Sequence, residues 1–179
     1  MNDVNDNDIL FQKDKDEWFE AIMDEFGERL TKLAYNYLKD WRLAEDVVQD
    51  VFITCYKYEN ISEITSFKSW IYRITINKAK DVLKSAAFRK VVMNSNLFHR
   101  LHSNDLSPEM HLIKRSDEEF LSLCVLSLPL RYREVVTLYY YEQLSIDTIS
   151  EITNINNNTI KTRLNRGRKK LKSMLEREL

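Results

Sequence analysis

Residues 144–174 read LSIDTISEITNINNNTIKTRLNRGRKKLKSM, and this stretch decides the fold of the C-terminal part of the chain. Ser145 is a favourable N-cap for a short helix with three isoleucines at helical spacing: Ile146, Ile149 and Ile152. The connection Asn154–Asn156 predicts a tight turn, because asparagine tolerates left-handed turn conformations. Asn156 or Asn157 then caps a second helix. The stretch therefore predicts two helices joined by a tight turn.

The second helix has a narrow apolar stripe and a polar, basic outer face. The stripe consists of Ile160, Leu164, Leu171 and Leu175. The outer face carries Lys161, Thr162, Asn165, Arg166 and Lys169. Such a pair of helices is typical of a helix-turn-helix motif, whose second helix enters the major groove of DNA. The pattern predicts DNA binding, and the alternative is an ordinary helical hairpin with a solvated basic face.

The composition favours long helices in the rest of the chain. Only two glycines and two prolines occur among 179 residues, while 44% hydrophobic and 31% charged residues suit helices with one buried and one solvated face. The net charge of −1 excludes a general polyanion binder. Acidic residues concentrate between Asp3 and Glu28, however, and basic residues between Lys161 and Arg177. This asymmetry indicates a nucleic-acid contact at one end only.

Helical periodicity divides the chain into two predicted domains. It covers residues 18–38, 41–58 and 66–84 and is lost between Ala86 and Ser107. Ser107 and Pro108 predict the start of a helix that runs to about Ser127. Pro129 opens the next helix, with four predicted core residues: Val135, Val136, Leu138 and Tyr139. We expect an all-α fold with an N-terminal helical bundle (1–85), a flexible linker (86–106) and a C-terminal helix-turn-helix domain (107–179).

The segment from Tyr132 to Lys172 resembles region 4 of bacterial RNA polymerase sigma factors. The match includes the entry helix at Tyr132–Val135 and most of the second helix of the motif. Four residues depart from the family pattern: Gln143 and Asn158 stand where glycine is frequent, and Ser150 and Gly167 where alanine is usual. Because asparagine tolerates the glycine-like backbone conformation, we expect the first turn of the second helix to survive at Asn158. Gly167 should cost up to about 1 kcal/mol of helix propensity.

The region 4 resemblance implies that the second helix reads the upstream promoter element as a duplex. The residues implied are Asn157, Thr159, Lys161, Thr162, Arg163, Asn165, Arg166 and Lys169. For Arg163 and Arg168 the alternatives are contacts with phosphate, packing of the domain or binding to the polymerase flap. Direct readout of base edges and neutralisation of phosphate are the two ways in which such side chains act.

The segments AEDVVQDVFITCYKY (44–58) and SFKSWIYRITINKAKDVLKS (66–85) resemble region 2 of the same family. By this resemblance, four residues dock on the large polymerase subunit: Glu45, Asp46, Gln49 and Asp50. The residues implied for the downstream promoter element, read partly as single strand, are Ile61, Ser62, Ser66, Arg73, Asn77, Lys80 and Lys84. Phe67 and Trp70 are either core residues or stacking platforms for bases, and the core interpretation is favoured.

The two regions without a third domain between them resemble the small extracytoplasmic-function class of sigma factors. This resemblance implies three partners: core RNA polymerase, promoter DNA and an anti-sigma factor, which is often membrane-bound. Two other interpretations are a free-standing helix-turn-helix transcriptional regulator and a helical interaction protein that mimics a sigma domain. The basic residues between Lys161 and Lys172 argue against the mimic.

No motif for catalysis, a metal or a cofactor stands out. His99 and His102 are three residues apart, but no cysteine or paired carboxylate joins them at the spacing of a zinc site. No nucleophile–histidine arrangement or glycine-rich phosphate loop is present. Cys55 and Cys124 lie in apolar helical contexts and are expected to be reduced and buried. With no membrane span or signal segment evident, the expectation is a cytoplasmic protein that is not an enzyme.

Overall fold

The described part of the protein is helical throughout. The computed structural model describes residues 6–60, 63–85 and 117–176, with residues 6–14 and 117 described by their backbone only. Within these residues no β-strand occurs, and the α-helices are α1 (Asp6–Leu38), α2 (Trp41–Lys57), α3 (Phe67–Lys84), α4 (Asp117–Ser127), α5 (Leu130–Val136), α6 (Ile146–Thr153) and α7 (Asn157–Leu175). The predicted all-α fold is confirmed. The predicted linker and the helix start at Ser107 lie outside the described residues, and the domain boundaries stay a prediction.

Helices α1, α2 and α3 pack against one another as an N-terminal bundle. Helix α1 begins at Asp6, well before Trp18 where periodicity first predicts it. Asp40 and Ser66 cap α2 and α3 by accepting hydrogen bonds from the N–H groups of Leu43 (3.0 Å) and Ser69 (3.3 Å). The bundle core includes Leu30, Leu33, Ala34, Val51, Cys55, Ile71 and Ile76.

Phe67 and Trp70 are half-buried and pack against this core. The ring of Phe67 meets the rings of Trp18 and Phe26 edge to face, each with 5.8 Å between ring centroids. The rings of Trp70 and Tyr58 lie with 5.0 Å between their centroids. Because these rings are held by aromatic neighbours, the structure favours the core interpretation over base stacking.

Both cysteines are buried, as the sequence predicts. Burial raises the pKa of the Cys55 thiol to about 11. The reactive thiolate is therefore scarce at neutral pH, which fits a packing role for Cys55.

The C-terminal part contains the predicted helix-turn-helix, formed by α6 and α7. Ser145 accepts a hydrogen bond from the N–H of Thr148 at 3.0 Å, which confirms it as the cap of α6. Asn154 ends α6 in the left-handed conformation, with φ of 57°. Asn156, and not Asn157, caps α7 by accepting from the N–H of Thr159 at 2.8 Å. Helix α7 also packs against α4 and α5, which hold the motif from behind.

A π-helical segment, Thr137–Tyr141, directly follows α5 and changes which side chains are buried. The N–H of Glu142 donates to the carbonyl oxygen of Thr137 at 3.1 Å, which is the i to i+5 bond of a π-turn. Leu138 stays buried, but Tyr139 is 38% exposed, so the prediction that Tyr139 is a core residue is wrong. The reason is the wider turn: it shifts the helix phase, leaving three tyrosines facing solvent while Glu142 becomes buried.

Two family departures have different backbone conformations. Asn158 lies in the first turn of α7, and the described non-glycine residues with positive φ are Lys39, Gln143 and Asn154. The expected first helix turn is present, and Asn158 forms it without a positive φ because α7 already begins at Asn157. Gln143, with φ of 54°, does occupy the left-handed region, which explains why glycine suits that position.

Replacing Gln143 by glycine is expected to raise the free energy of unfolding by about 1 kcal/mol. The left-handed conformation crowds a Cβ atom, and glycine has none. Urea denaturation of the full chain measures the change. Gln143→Ala is the matched control, because alanine keeps the Cβ and should gain nothing. Equal stabilisation by both substitutions would contradict the explanation.

Gly167 is buried where α7 crosses α5, and an added Cβ would lie 2.9 Å from Cγ2 of Val136. Gly167→Ala is therefore expected to lower the free energy of unfolding by about 1 kcal/mol, since the packing strain exceeds the gain in helix propensity. At Gly27 in α1 nothing lies within 4 Å of an added Cβ. Gly27→Ala should stabilise by about 1 kcal/mol. Thermal or urea unfolding of the two variants checks the pair, and a stabilised Gly167→Ala would refute the packing argument.

The N-terminal bundle and the helix-turn-helix part are in direct contact. Helix α3 packs against α6, and α1 packs against α5. Buried apolar side chains form one continuous cluster that extends from Ile22 in α1 to Leu164 in α7. The two parts thus share a hydrophobic core in this arrangement.

Candidate nucleic-acid and polymerase interface

Helix α7 turns a basic surface toward solvent because its apolar residues all lie on the opposite side. Ile160, Leu164 and Gly167 are buried against α5 and α6. The exposed side chains include Lys161, Thr162, Asn165, Arg166 and Lys169, all five residues of the predicted outer face. This surface can present amide, hydroxyl and cationic groups to base edges and phosphates at the same time.

The other three residues implied for the upstream element turn partly toward the protein. Asn157 is half-buried and its side-chain amide donates to Oδ1 of Asp147 at 2.6 Å, which ties the start of α7 to the start of α6. Arg163 is half-buried, with Nη1 3.7 Å from Oε2 of Glu134. Thr159 is half-buried beside α5. For Arg163 this contact matches the alternative of packing within the domain.

A groove with a basic lining runs between the first turn of α5 and the N-terminal half of α7. It is lined by Arg131, Tyr132, Asn158, Thr159, Thr162, Arg163 and Arg166. Burial would raise the pKa of the Tyr132 hydroxyl, but hydrogen bonds and charge from Arg166 and Arg131 outweigh it and lower the pKa. The Arg131 guanidinium also lies 4.9 Å from the centre of the Tyr132 ring. Tyr132 therefore lies beside two cations of the groove lining.

Three residues of this groove were absent from the predicted site. Asn158 is exposed and lies four and seven residues before Thr162 and Asn165, so helical spacing could have identified it. Arg131 and Tyr132 offered no such signal, because they belong to α5 and reach the site only where α5 packs against α7.

The predicted polymerase-binding residues lie on the outer face of α2. Glu45, Asp46, Gln49 and Asp50 are all exposed. The opposite face of the helix is buried through Ala44, Val47, Val48 and Val51. Oδ2 of Asp50 lies 3.8 Å from Nζ of the half-buried Lys78 in α3, and because Asp50 is exposed the pair contributes little to stability. The face is thus an acidic surface on a rigid helix, suited to a basic partner.

The residues implied for the downstream element are divided by the structure. Arg73, Asn77 and Lys84 are exposed on α3, whereas the Ser66 side chain caps that helix. Lys80 points to the helix-turn-helix part, with Nζ 2.7 Å from Oε1 of Glu134. Ile61 and Ser62 lie outside the described residues. Helix α3 therefore brings together three of the seven residues and commits Lys80 to a contact between the two parts.

The described side chains include no group of three metal-ligating residues, and His99 and His102 lie outside them. Nor does any helix within residues 6–60, 63–85 and 117–176 combine the length and hydrophobicity of a membrane span.

Comparison with family models gives two matches in the same chain. The model Sigma-70 region 2 matches residues 22–89. The model Sigma-70, region 4 matches residues 121–171. Together they cover the acidic face of α2, the polar face of α3 and the helix-turn-helix up to residue 171 of α7.

Curated relatives match over most of their length. RNA polymerase sigma factor SigV of Bacillus subtilis is 30% identical over 149 residues, which are 82% of this chain and 84% of SigV. RNA polymerase sigma factor SigZ of the same organism is 30% identical over 162 residues, with coverage of 88% and 86%. ECF RNA polymerase sigma factor SigW, also of Bacillus subtilis, is 29% identical over 165 residues, with coverage of 88% for both chains.

Two solved structures share the fold at low sequence identity. CnrH, in complex with the cytosolic domain of CnrY, aligns with a TM-score of 0.62 and 20% identity over 90% of this chain and 89% of CnrH. The sigma factor RpoE of Bartonella quintana, in complex with the anti-sigma factor NepR, aligns with a TM-score of 0.60 and 20% identity over 88% of this chain and 96% of RpoE.

Proposed function

The chain belongs to the RNA polymerase sigma factors, in the extracytoplasmic-function class, and from this membership we propose which surface performs each step of transcription initiation. Factors of this family bind core RNA polymerase and direct it to promoters. The observation that carries the assignment is the presence of both sigma regions, in the family's order, in one chain. The exposed basic face of α7 and the exposed acidic face of α2 are then the two surfaces with the most evident partners.

We propose that α7 reads the upstream promoter element through the major groove. Thr162, Asn165 and Lys169 point outward near its middle, and Arg166 lies beside them in the groove next to α5. Asn158 is added to the predicted set, since it is exposed one turn before Thr162. Asn157 and Arg163 act by positioning, because their side chains are bound to Asp147 and Glu134.

The N-terminal bundle is proposed to bind the polymerase and the downstream element through different helices. Glu45, Asp46, Gln49 and Asp50 on α2 form the proposed polymerase contact. Arg73, Asn77 and Lys84 on α3 form the proposed contact with the parted strands, together with Ile61, Ser62 and Ser66 before them. Lys80 can join this set only after it leaves Glu134. A basic wall for the backbone is what single-stranded DNA requires.

The proposal includes three coarser expectations. The chain acts as a subunit in the cytoplasm and catalyses no reaction itself. It is also expected to be sequestered by an anti-sigma factor, because the similar sigma factor RpoE forms a complex with the anti-sigma factor NepR. An anti-sigma factor that covers the acidic face of α2 would prevent polymerase binding.

In vitro transcription from a genomic library with purified core polymerase tests the proposal. We expect promoter-specific transcripts only when both core and this chain are present. A parallel gel-shift with and without core separates a sigma factor from a free-standing regulator, which would bind tightly without core.

The double variant Asp46→Lys/Asp50→Lys should lose core binding at least tenfold, while Asp24→Lys, an exposed acid on α1, should not. Equal binding by both would refute the polymerase surface.

A further inference from the structure

Two carboxylates of the helix-turn-helix part are buried where it meets the N-terminal bundle. Glu134 of α5 is 5% exposed, and Glu142, which follows the π-helical segment, is 7% exposed. Buried carboxylates are costly unless hydrogen-bonded and paired with cations. The hydrogen-bond and ion-pair partners of these two side chains therefore show how the two parts of the chain are held together.

Each carboxylate receives one tyrosine hydroxyl and one cation from the N-terminal bundle. Tyr37 donates to Oε1 of Glu134 at 2.9 Å, and Lys80 Nζ lies 2.7 Å from the same oxygen. Tyr72 donates to Oε2 of Glu142, and Nε of Arg29 lies 3.7 Å from that oxygen. The pairs Tyr37–Glu134 and Tyr72–Glu142 are called here the two tyrosine–glutamate latches.

The latches are directional polar contacts beside the apolar cluster that the two parts share, which makes them specific for one arrangement. Burial is the main cause that raises the pKa of both tyrosines, so both hydroxyls remain protonated donors. The π-helical turn supplies the second latch, because its wider turn buries Glu142 while the preceding tyrosines face solvent. Neither glutamate could keep these partners if the two parts moved apart.

We propose that the two tyrosine–glutamate latches hold the free protein in a closed, autoinhibited form that must open before it engages a promoter. The inference rests on the proposed assignment of α3 and α7 to two separate promoter elements. In the closed form α3 is in contact with α6 of the helix-turn-helix, so the two DNA-reading parts cannot bind elements that are apart. Lys80, an implied downstream contact, is also bound to Glu134.

The closed form contains an opposing contact that keeps it reversible. Lys39, at the end of α1, has its pKa lowered to about 8 by burial and by the charge of Arg133 in α5. Arg133 is itself 4% exposed and donates to the carbonyl oxygens of Leu126 and Leu128 at 2.6 and 3.1 Å. The like charge of Lys39 and Arg133 opposes closure, whereas the latches strengthen it.

The first test compares Tyr37→Phe/Tyr72→Phe with the wild type in the full chain. Phenylalanine keeps the ring packing and removes only the hydroxyls. Small-angle scattering of the free variant should show a larger radius of gyration. Apparent affinity for core polymerase and promoter should rise roughly tenfold, because less of the protein is closed. Tyr56→Phe is the matched control: it removes a tyrosine–carboxylate bond to Asp16 (3.0 Å) inside the N-terminal bundle and should change neither quantity.

The second test does not depend on the stability of the double variant. Oδ1 of Asn36 and Oγ1 of Thr137 approach within 3.4 Å across the interface. Asn36→Cys/Thr137→Cys should therefore form a disulfide within one chain under mild oxidation, which a reductant cleaves. We expect the cross-linked protein to lose transcription and to regain it on cleavage. Failure to cross-link, or full activity when cross-linked, would overturn the proposal.

These outcomes are distinct from failure of the proposed function. A wild-type protein that starts no transcript with core polymerase refutes the sigma assignment. A wild type that transcribes, but whose radius of gyration and affinity match those of Tyr37→Phe/Tyr72→Phe, refutes only the latches.

Discussion

The double variant Arg166→Ala/Lys169→Ala is expected to bind the upstream promoter element about 100-fold more weakly when assembled with core polymerase. Both side chains are exposed on α7, and Arg166 lines the groove together with Tyr132. Each lost contact with a base edge or phosphate costs about 1–3 kcal/mol, so two contacts give a loss of this size. Competition gel-shifts of the reconstituted holoenzyme on one promoter measure the change.

Salt dependence and a neighbouring cation provide the controls for this experiment. If both residues contact phosphate, the plot of log affinity against log salt should be less steep for the double variant than for the wild type, by about 2 in slope. Lys172→Ala removes an exposed cation from the same helix, where Nζ lies 3.6 Å from Oε1 of Glu176. It lies near the C-terminal end of α7 and should have little effect. Equal losses for both variants would show that α7 acts only through its overall charge.

Replacing Glu134 by alanine is expected to lower the free energy of unfolding by about 3 kcal/mol. The substitution removes the acceptor for Tyr37 and leaves Lys80 and Arg163 without their shared carboxylate. Breaking a buried ion pair lowers the free energy of unfolding by about 3–5 kcal/mol. The lower end of this range applies because the side chains of Lys80 and Arg163 are 29% and 28% exposed. Urea denaturation with a probe in each part of the chain measures the loss.

Two further substitutions make the Glu134 experiment specific. Glu134→Gln keeps an oxygen to accept from Tyr37 but removes the charge, so its loss should be intermediate. Glu151→Ala changes an exposed glutamate of α6 and should stay within about 0.5 kcal/mol of the wild type. A Glu134→Ala protein as stable as Glu151→Ala would mean that the buried ion-pair network does not form in solution.

Local sequence features identified most of the helices and the recognition motif. The caps at Ser145 and Asn154 and the periodic isoleucines of α6 depend on residues within one or two turns, so they can be read without the rest of the chain. The same holds for the outer face of α7, because its buried stripe has helical spacing. The predicted core role of Tyr139 failed because a π-turn changes the phase that periodicity assumes.

Contacts between distant elements could not be read in this way. The sequence marks Gly167 as a weak helix residue, but only the crossing of α5 over α7 shows why a larger side chain does not fit. Arg131 and Tyr132 reach the basic groove beside α7 through the same crossing. Lys80 looked like one more cation on α3, yet it is bound to a glutamate 54 positions away (134 − 80).

By itself, then, the sequence determined the all-α fold, the helix-turn-helix and the basic and acidic faces, since helical period, capping and charge are local properties. The tertiary structure alone decided which polar residues are exposed to partners and which join the two parts of the chain. The burial of Glu134 and Glu142 against tyrosines of the N-terminal bundle is the clearest case. A carboxylate has the same chemistry in either setting, and only packing against residues far along the chain determines whether it meets water or a tyrosine.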